Sequence, residues 1–145
     1  MCGRPPPGAH TFRGMSRRTA ARIALSLAMI GAGAAHLTVL REEFQAQVPD
    51  WFPVDADRTV LASGVAELAL GGAFLGMPRR KRLIGALLAA FFVIIFPGNI
   101  AQYAEGTDAF GLDTDAKRFG RLFFQPVLIA WALYAGGWGR RQAPR

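Results

Sequence analysis

Five polar side chains lie within or at the ends of otherwise apolar stretches, and these residue types could do chemistry there. They are His36, Glu67, Asn99, Arg121 and Gln125. A carboxylate in a hydrocarbon environment is costly, so Glu67 must be sheltered by protein, meet a partner, or take and release protons as part of a function. The imidazole, guanidinium and amide groups supply hydrogen-bond donors. Such a set could bind a polar ligand, with Glu67 relaying protons.

Four apolar stretches must position these side chains. They cover residues 23–40, 59–77, 83–101 and 122–138 in a chain of 145 residues that is 52% hydrophobic. As a helix, the second stretch reaches about 28 Å, which is enough to cross a hydrocarbon core. The connections are short, so neighbouring helices should run in opposite directions. We predict an all-α protein, an antiparallel four-helix transmembrane bundle that contacts the lipid bilayer.

The distribution of charge predicts the orientation of this bundle. The N-terminal segment, the turn 79–82 and the C-terminal segment are basic, whereas the other two loops are acidic on balance. Positive charge favours the cytoplasmic side, so both termini should be cytoplasmic in a multi-pass protein of the bacterial inner (plasma) membrane. We predict a disordered basic tail at 1–19, a membrane domain at 20–138 and a basic tail at 139–145. The sequence leaves open whether translation starts at Met1 or Met15, and whether the first span is cleaved as a signal.

Composition argues against several other classes of protein. The net charge of +7 is concentrated near the termini and in one turn, and no aromatic-rich basic face or zinc-finger spacing predicts nucleic-acid binding. Cys2 is the only cysteine, so the chain has neither a CxxC redox pair nor an iron–sulfur ligand set. His10 and His36 form no metal motif. We therefore expect no metal and no haem.

Small residues predict where helices approach one another. Gly31 and Ala35 form a small-xxx-small pair in the first helix, and Gly64 and Gly71 share a face of the second helix with Glu67. The third helix should bend at Pro97, which lacks a backbone N–H.

The first acidic loop contains an unusually apolar segment, Pro49–Pro53. Its Trp51 and Phe52 side chains could anchor the loop in the membrane interface. Alternatively, the segment is a turn that covers the helix ends.

The direction of each helix predicts that the five polar residues share one depth. His36 comes late in an outward-going helix and Arg121 early in an inward-going one, so both belong to the outer half of the bundle. Glu67, Asn99 and Gln125 fall there as well, which predicts an outer-leaflet polar pocket. Structural roles remain open for each residue, namely a Glu67–Arg121 ion pair, interhelical hydrogen bonds of Asn99 and Gln125, an interfacial His36 and a snorkelling Arg121.

Several short motifs together resemble the DoxX-like family of small bacterial membrane proteins. They are the glycine-rich first helix ending in His36, VPDWFP at 48–53, SGVAE at 63–67, FPGN at 96–99 and RLFFQ at 121–125. The resemblance covers about residues 20–138 and implies a four-helix membrane protein. Family members have been linked to thiosulfate:quinone oxidoreductase, and to a superoxide dismutase with a thiosulfate sulfurtransferase.

The resemblance implies an accessory or quinone-interacting subunit of a membrane redox or detoxification system. Its partner would be a membrane-associated oxidoreductase and its cofactor a quinone, whose carbonyls need hydrogen-bond donors. We do not expect a stand-alone enzyme, and no catalytic residue is assigned. One alternative is a structural or assembly protein without chemistry of its own. A small-solute or proton carrier is less favoured, because the sequence shows no inverted repeat.

Overall fold

The computed structural model describes residues 15–139, and all regular secondary structure in that range is helical. The helices are α1 (Arg17–Leu37), α2 (Arg41–Gln45), α3 (Ala56–Gly76), α4 (Lys81–Glu105) and α5 (Asp115–Gly136), with a 3₁₀ turn at Pro78–Arg80. The predicted all-α class is confirmed. Most of the predicted terminal tails lies outside the described residues.

The long helices begin before the apolar stretches that predicted them. Polar N-caps explain this difference for α1, α3 and α5: Ser16, Asp55 and Thr114 accept hydrogen bonds from the backbone N–H groups of Thr19, Arg58 and Lys117 respectively. A side-chain oxygen at this position satisfies a free amide of the first helical turn. Hydropathy marks only the apolar part of a helix and misses the polar turn that starts it.

Three segments are long and apolar enough to cross a membrane. They are Arg17–Leu37, Ala56–Gly76 and Pro78–Glu105. These segments indicate a membrane protein. Helix α5 is not among them, because Arg118, Arg121 and Gln125 lower its mean hydropathy. The fourth span at 122–138 therefore stays a prediction.

Glycines let the helices of each neighbouring pair approach closely. A Cβ atom added at Gly33 of α1 would lie 2.7 Å from the Gly64 carbonyl oxygen of α3. One added at Gly71 of α3 would lie 2.9 Å from the Cβ of Met29. Residues late in α1 thus meet residues early in α3. Likewise, a Cβ at Gly85 of α4 would lie 2.8 Å from the Ala132 carbonyl oxygen of α5.

The buried core joins the two helix pairs. Phe74, Leu88 and Ala132 are fully buried, and the Trp131 indole Nε1 donates to the Ala21 carbonyl oxygen across α5 and α1. Outside this core, apolar side chains remain exposed on the helices; Ile94, for instance, is 74% exposed. An apolar exterior of this kind suits contact with lipid rather than water.

Candidate functional site

A cavity of about 690 Å³ lies beneath α2, between the ends of the long helices; we call it the α2 cavity. Its polar lining side chains are His36, Gln47, Thr59, Ser63, Asn99, Lys117, Arg121 and Gln125. The aromatic side chains of its wall are Phe44, Trp51, Phe52 and Phe124. Four of the five predicted polar residues therefore line one cavity. The fifth, Glu67, lies behind His36. The volume is in the range of small-molecule sites.

A chain of hydrogen bonds connects the polar groups of α5 and α4. Arg121 Nε donates to Asn99 Oδ1 at 3.3 Å, and Asn99 Nδ2 donates to Gln125 Oε1 at 3.0 Å. Gln125 Nε2 then donates to the backbone carbonyl oxygen of Phe92 at 2.6 Å. Each amide is thereby fixed in one orientation. Arg121, which lines the cavity, takes part in this chain of hydrogen bonds only through Nε, and among residues 15–139 its two terminal nitrogens have no hydrogen-bond acceptor.

Two prolines interrupt backbone hydrogen bonding beside this chain. Pro97 lies inside α4 and Pro126 lies inside α5, directly after Gln125. Neither can donate an N–H to the preceding helical turn. Pro97 leaves the backbone carbonyl of Val93 without its helical donor, beside the Phe92 carbonyl that accepts from Gln125. Pro126 was not predicted as a helix interruption, although it lies inside the apolar stretch 122–138 and could have been recognised from the sequence.

Glu67 and His36 form a buried contact between α3 and α1. Glu67 Oε2 lies 3.0 Å from His36 Nδ1, and the two side chains are 7% and 8% exposed. His36 Nδ1 also lies 2.8 Å from the Ala32 carbonyl oxygen, and a single Nδ1–H cannot point at both acceptors. Among the described residues Glu67 Oε2 has no hydrogen-bond partner. The pair is therefore a close contact between the imidazole and a carboxylate oxygen, and not a satisfied hydrogen bond.

Arg121 does not pair with Glu67, so the structure lacks the predicted alternative of a Glu67–Arg121 ion pair. The Arg121 guanidinium instead lies 4.8 Å from the centroid of the Phe110 ring, in the loop between α4 and α5. Glu67 is buried on the face of α3 that packs against α1. Gly64, one turn earlier on the same face, contacts α1 directly, so Glu67 points toward α1 and away from Arg121.

Helix α2 covers the cavity through aromatic contacts that the sequence did not reveal. The Phe44 ring stacks on His36 with a centroid distance of 3.4 Å, and meets the Phe110 ring edge-on at 4.7 Å. Phe110 has a φ of 55°, uncommon for a side chain of this size, and its N–H donates to Glu43 Oε2 at 2.6 Å. The phenylalanine within REEFQ was a signal, since it is the one large apolar side chain in an acidic segment.

Comparison with known proteins gives a family assignment. The model of the family Domain of unknown function (DUF8561) matches residues 16–135, which contain all four long helices, α2 and the five polar residues. The chain belongs to the DUF8561 family. No curated protein and no solved structure matches it.

In this DUF8561 chain, the loops on either side of the cavity are fixed by polar contacts. Lys117 Nζ donates to Asp113 Oδ1 at 2.6 Å, which lowers the pKa of the Asp113 carboxyl. The Asp57 carboxylate holds Arg41 at the start of α2 and raises the pKa of Arg41. Trp51 and Phe52 line the cavity while remaining 67% and 38% exposed. Their position is compatible with both predicted roles, the interfacial anchor and the covering turn.

The predicted packing residues differ in their surroundings. Gly64 and Gly71 lie against α1, whereas a Cβ added at Gly31 would meet nothing within 4 Å. The close approach in α1 is at Gly33, two residues later, and not along the predicted Gly31–Ala35 pair. Residues two apart in a helix point about 200° apart, so Gly31 faces away from α3.

Metal ligation finds no support in the described part of the DUF8561 chain. Between residues 15 and 139, no three His, Cys, Asp or Glu side chains come together as a metal site requires. The side chains that line the α2 cavity can form hydrogen bonds and aromatic contacts and can exchange protons.

Proposed function

We propose that this DUF8561 protein is a DoxX-like membrane subunit that binds the head group of a quinone in the α2 cavity. It would serve a membrane redox or detoxification system, receiving electrons from a membrane-associated oxidoreductase. The observation that carries the proposal is the α2 cavity itself. It combines a largely apolar wall with a few convergent polar groups, the composition typical of small-molecule sites.

The wall of the cavity suits a flat ring that carries two carbonyl groups. Phe44, Phe52 and Phe124 offer aromatic surface, and the free nitrogens of Arg121 offer charged donors to a carbonyl oxygen. Exposed apolar residues of α4 such as Ile94 lie at the cavity wall and would contact an isoprenoid tail. Arg121 is thus the proposed ligand donor, while Asn99 and Gln125 hold it in position.

His36 and Glu67 would supply protons to the bound ligand. Reduction of a quinone to a quinol takes up two electrons and two protons, and the protons are delivered to the carbonyl oxygens. His36 lines the cavity and can donate to a ligand oxygen, and Glu67 behind it can return a proton to the imidazole. The electrons would come from the partner oxidoreductase.

The same proposal includes the antiparallel four-helix bundle with both termini in the cytoplasm. It is supported by the contacts of α1 with α3, which pair the end of one helix with the start of the next. It is also supported by the basic turn at 79–82 and the acidic residues around α2, which lie at opposite ends of α3. In this orientation the α2 cavity opens in the outer leaflet of the bacterial inner membrane.

A structural or assembly role is the second candidate, and one observation favours it. The hydrogen bonds from Arg121 through Asn99 and Gln125 to Phe92 satisfy both amides within the protein. A network of this kind can serve only to hold α4 against α5.

Photo-crosslinking with an azido-quinone that carries an isoprenoid tail separates the two candidates. The full chain in native membranes should be labelled within 94–99 and 120–128, and excess unlabelled quinone should suppress the labelling. The variant Arg121→Met should lose most of it. Arg58→Met is the matched control, because Arg58 is exposed at the same end of the molecule but does not line the cavity.

The amount of each variant that accumulates in the membrane completes the experiment. If Arg121→Met accumulates normally yet labels as strongly as the wild type, the quinone proposal is wrong. If Arg121→Met and Glu67→Gln both fail to accumulate, while Arg58→Met does not, the structural role is favoured instead.

A further inference from the structure

A second cavity lies at the other end of α3 and is lined by cations. Its volume is about 120 Å³, too small for a drug-sized ligand but suited to a compact polar group. Arg18 and Arg22 reach it from α1 and Lys81 from the start of α4. The hydroxyl groups of Ser16 and Thr19 also line it, and no carboxylate of residues 15–139 does. We call it the basic cavity.

The partners of these cations within the described residues are neutral. Arg22, which is only 9% exposed, donates through Nη1 to the backbone carbonyl oxygens of Phe74 and Leu75 at the end of α3. The Arg18 guanidinium lies 4.9 Å from the centroid of the Tyr134 ring. Carbonyl groups and an aromatic face stabilise a cation, but they leave its formal charge uncompensated.

One hydrogen-bond donor of Arg18 lacks an acceptor in the described part of the chain. Its Nη1 is buried and has no hydrogen-bond partner among residues 15–139. Arg18 Nη1 and Lys81 Cε both lie 3.8 Å from the position that a Cβ at Gly137 would occupy, so the two cationic groups approach the same point. A buried donor without an acceptor costs free energy that a bound anion would recover.

The location of the basic cavity indicates where its ligand comes from. The cavity lies where the membrane-length segment Arg17–Leu37 begins, where Ala56–Gly76 ends and where Pro78–Glu105 begins. The ends of membrane-spanning segments coincide with the polar headgroup layer of the bilayer. Exposed Arg79 and Arg80 extend the positive charge beside the cavity.

From these observations we propose that the basic cavity binds a phosphate group, with Arg18, Arg22 and Lys81 as its cationic contacts. Guanidinium groups match phosphate oxygens in geometry and charge. The hydroxyl groups of Ser16 and Thr19 hydrogen-bond to each other at 2.9 Å, which leaves one hydroxyl hydrogen as a neutral donor. The shared chemistry admits a phospholipid headgroup or free phosphate. This site does not depend on the quinone proposal.

Lipid retention measured by native mass spectrometry tests the site. The full chain is taken from nanodiscs containing equal amounts of phosphatidylglycerol and phosphatidylcholine, and the lipids that remain bound are counted. The wild type should retain phosphatidylglycerol preferentially. Arg18→Gln with Lys81→Gln should reduce that preference roughly tenfold, because two charge-assisted contacts are removed. The matched control is Arg79→Gln with Arg80→Gln, which removes the same charge from exposed positions outside the cavity.

Titration with inorganic phosphate in detergent distinguishes the two sources. Free phosphate that raises the Tm of the wild type, but not of the Arg18/Lys81 variant, identifies phosphate alone as sufficient. Retention of phosphatidylglycerol without any effect of phosphate identifies the lipid headgroup. The proposal is overturned if the Arg79/Arg80 control loses as much retention as the cavity variant, or if neither probe distinguishes the cavity variant from the wild type.

Discussion

At the scale of single residues, the distance between α1 and α3 is set by glycines at the contact. Gly33 and Gly64 lie opposite each other, and Gly71, about two helical turns further along α3, lies against Met29. Any side chain larger than hydrogen at these positions would meet backbone or core atoms at less than the usual contact distance. The position of His36 against Glu67 follows from this close approach, because the two residues lie on the same pair of helices.

Gly33→Ala should destabilise the protein, whereas Gly31→Ala should not. The added methyl at Gly33 would lie 2.7 Å from a backbone oxygen, and overpacking of this kind costs about 1–3 kcal/mol. The methyl at Gly31 enters open space and should stabilise α1 by up to about 1 kcal/mol through helix propensity. Thermal unfolding of both variants in the same detergent measures the difference. Equal Tm values would show that α1 does not contact α3 through Gly33.

Asn99 and Gln125 should behave as one unit. Asn99→Ala removes the donor to Gln125, and Gln125→Ala removes both the acceptor and the bond to the Phe92 carbonyl. The double variant should therefore cost less than the sum of the single ones, with a coupling of about 0.5–2 kcal/mol. A double-mutant cycle of unfolding free energies gives this value. Additive losses would mean that the amides act separately.

At the scale of elements, α2 is the helix with the least intrinsic stability. Five residues are too few for a stable isolated helix, so its order depends on tertiary contacts. These contacts are the Phe44 ring on His36 and Phe110, and the Arg41 and Gln45 side chains on Asp57. Since α2 covers the cavity, these contacts also govern access to it.

Phe44→Ala should release α2 while leaving the long helices folded. The loss of two aromatic contacts should speed amide hydrogen exchange in residues 41–45 by roughly tenfold, as expected for about 1.5 kcal/mol. Val39→Ala is the control, because Val39 is 85% exposed just before α2. Hydrogen–deuterium exchange with mass spectrometry reports each segment separately. Unchanged exchange in 41–45 would show that the phenylalanine does not hold the helix.

At the scale of the whole molecule, the open question is the path of α5. Its length of 22 residues would suffice to cross a membrane, but it is not one of the three segments that are apolar enough. Contacts along α4 and α1 bury one side of α5, including Gln125, and the buried Arg118 pairs with Asp108 and Asp115. A helix whose polar residues face protein can span a bilayer despite a modest mean hydropathy. We therefore retain four spans in the proposal.

Labelling of single cysteines with a membrane-impermeant reagent tests this topology. In intact cells, D50C and E105C in a Cys2→Ser background should be labelled from outside. Native Cys2 and the variants R80C and Q142C should react only after the membrane is opened. Labelling of Q142C from outside would mean three spans, with α5 on the outer side. Labelling of R80C from outside would invert the whole orientation.

The amino-acid sequence by itself determined the helical class, the four apolar segments and four of the polar residues that line the cavity, His36, Asn99, Arg121 and Gln125. These properties are local, because a run of apolar residues favours one long helix and each polar side chain has a set position along that helix. The sequence also identified Pro97, Gly64 and Gly71, because a missing N–H or a missing side chain acts wherever it is placed.

Only the tertiary structure decided which side chains meet. The rotation of α1 brings Gly33 rather than Gly31 to α3, and it places His36 rather than Arg121 beside Glu67. Helix α2 and its Phe44 stack have no strong local signal, because a five-residue helix forms only against a partner surface. The convergence of Arg18 with Lys81 joins residues more than 60 positions apart. Periodicity defines the faces of one helix, but it does not specify which other helix each face contacts.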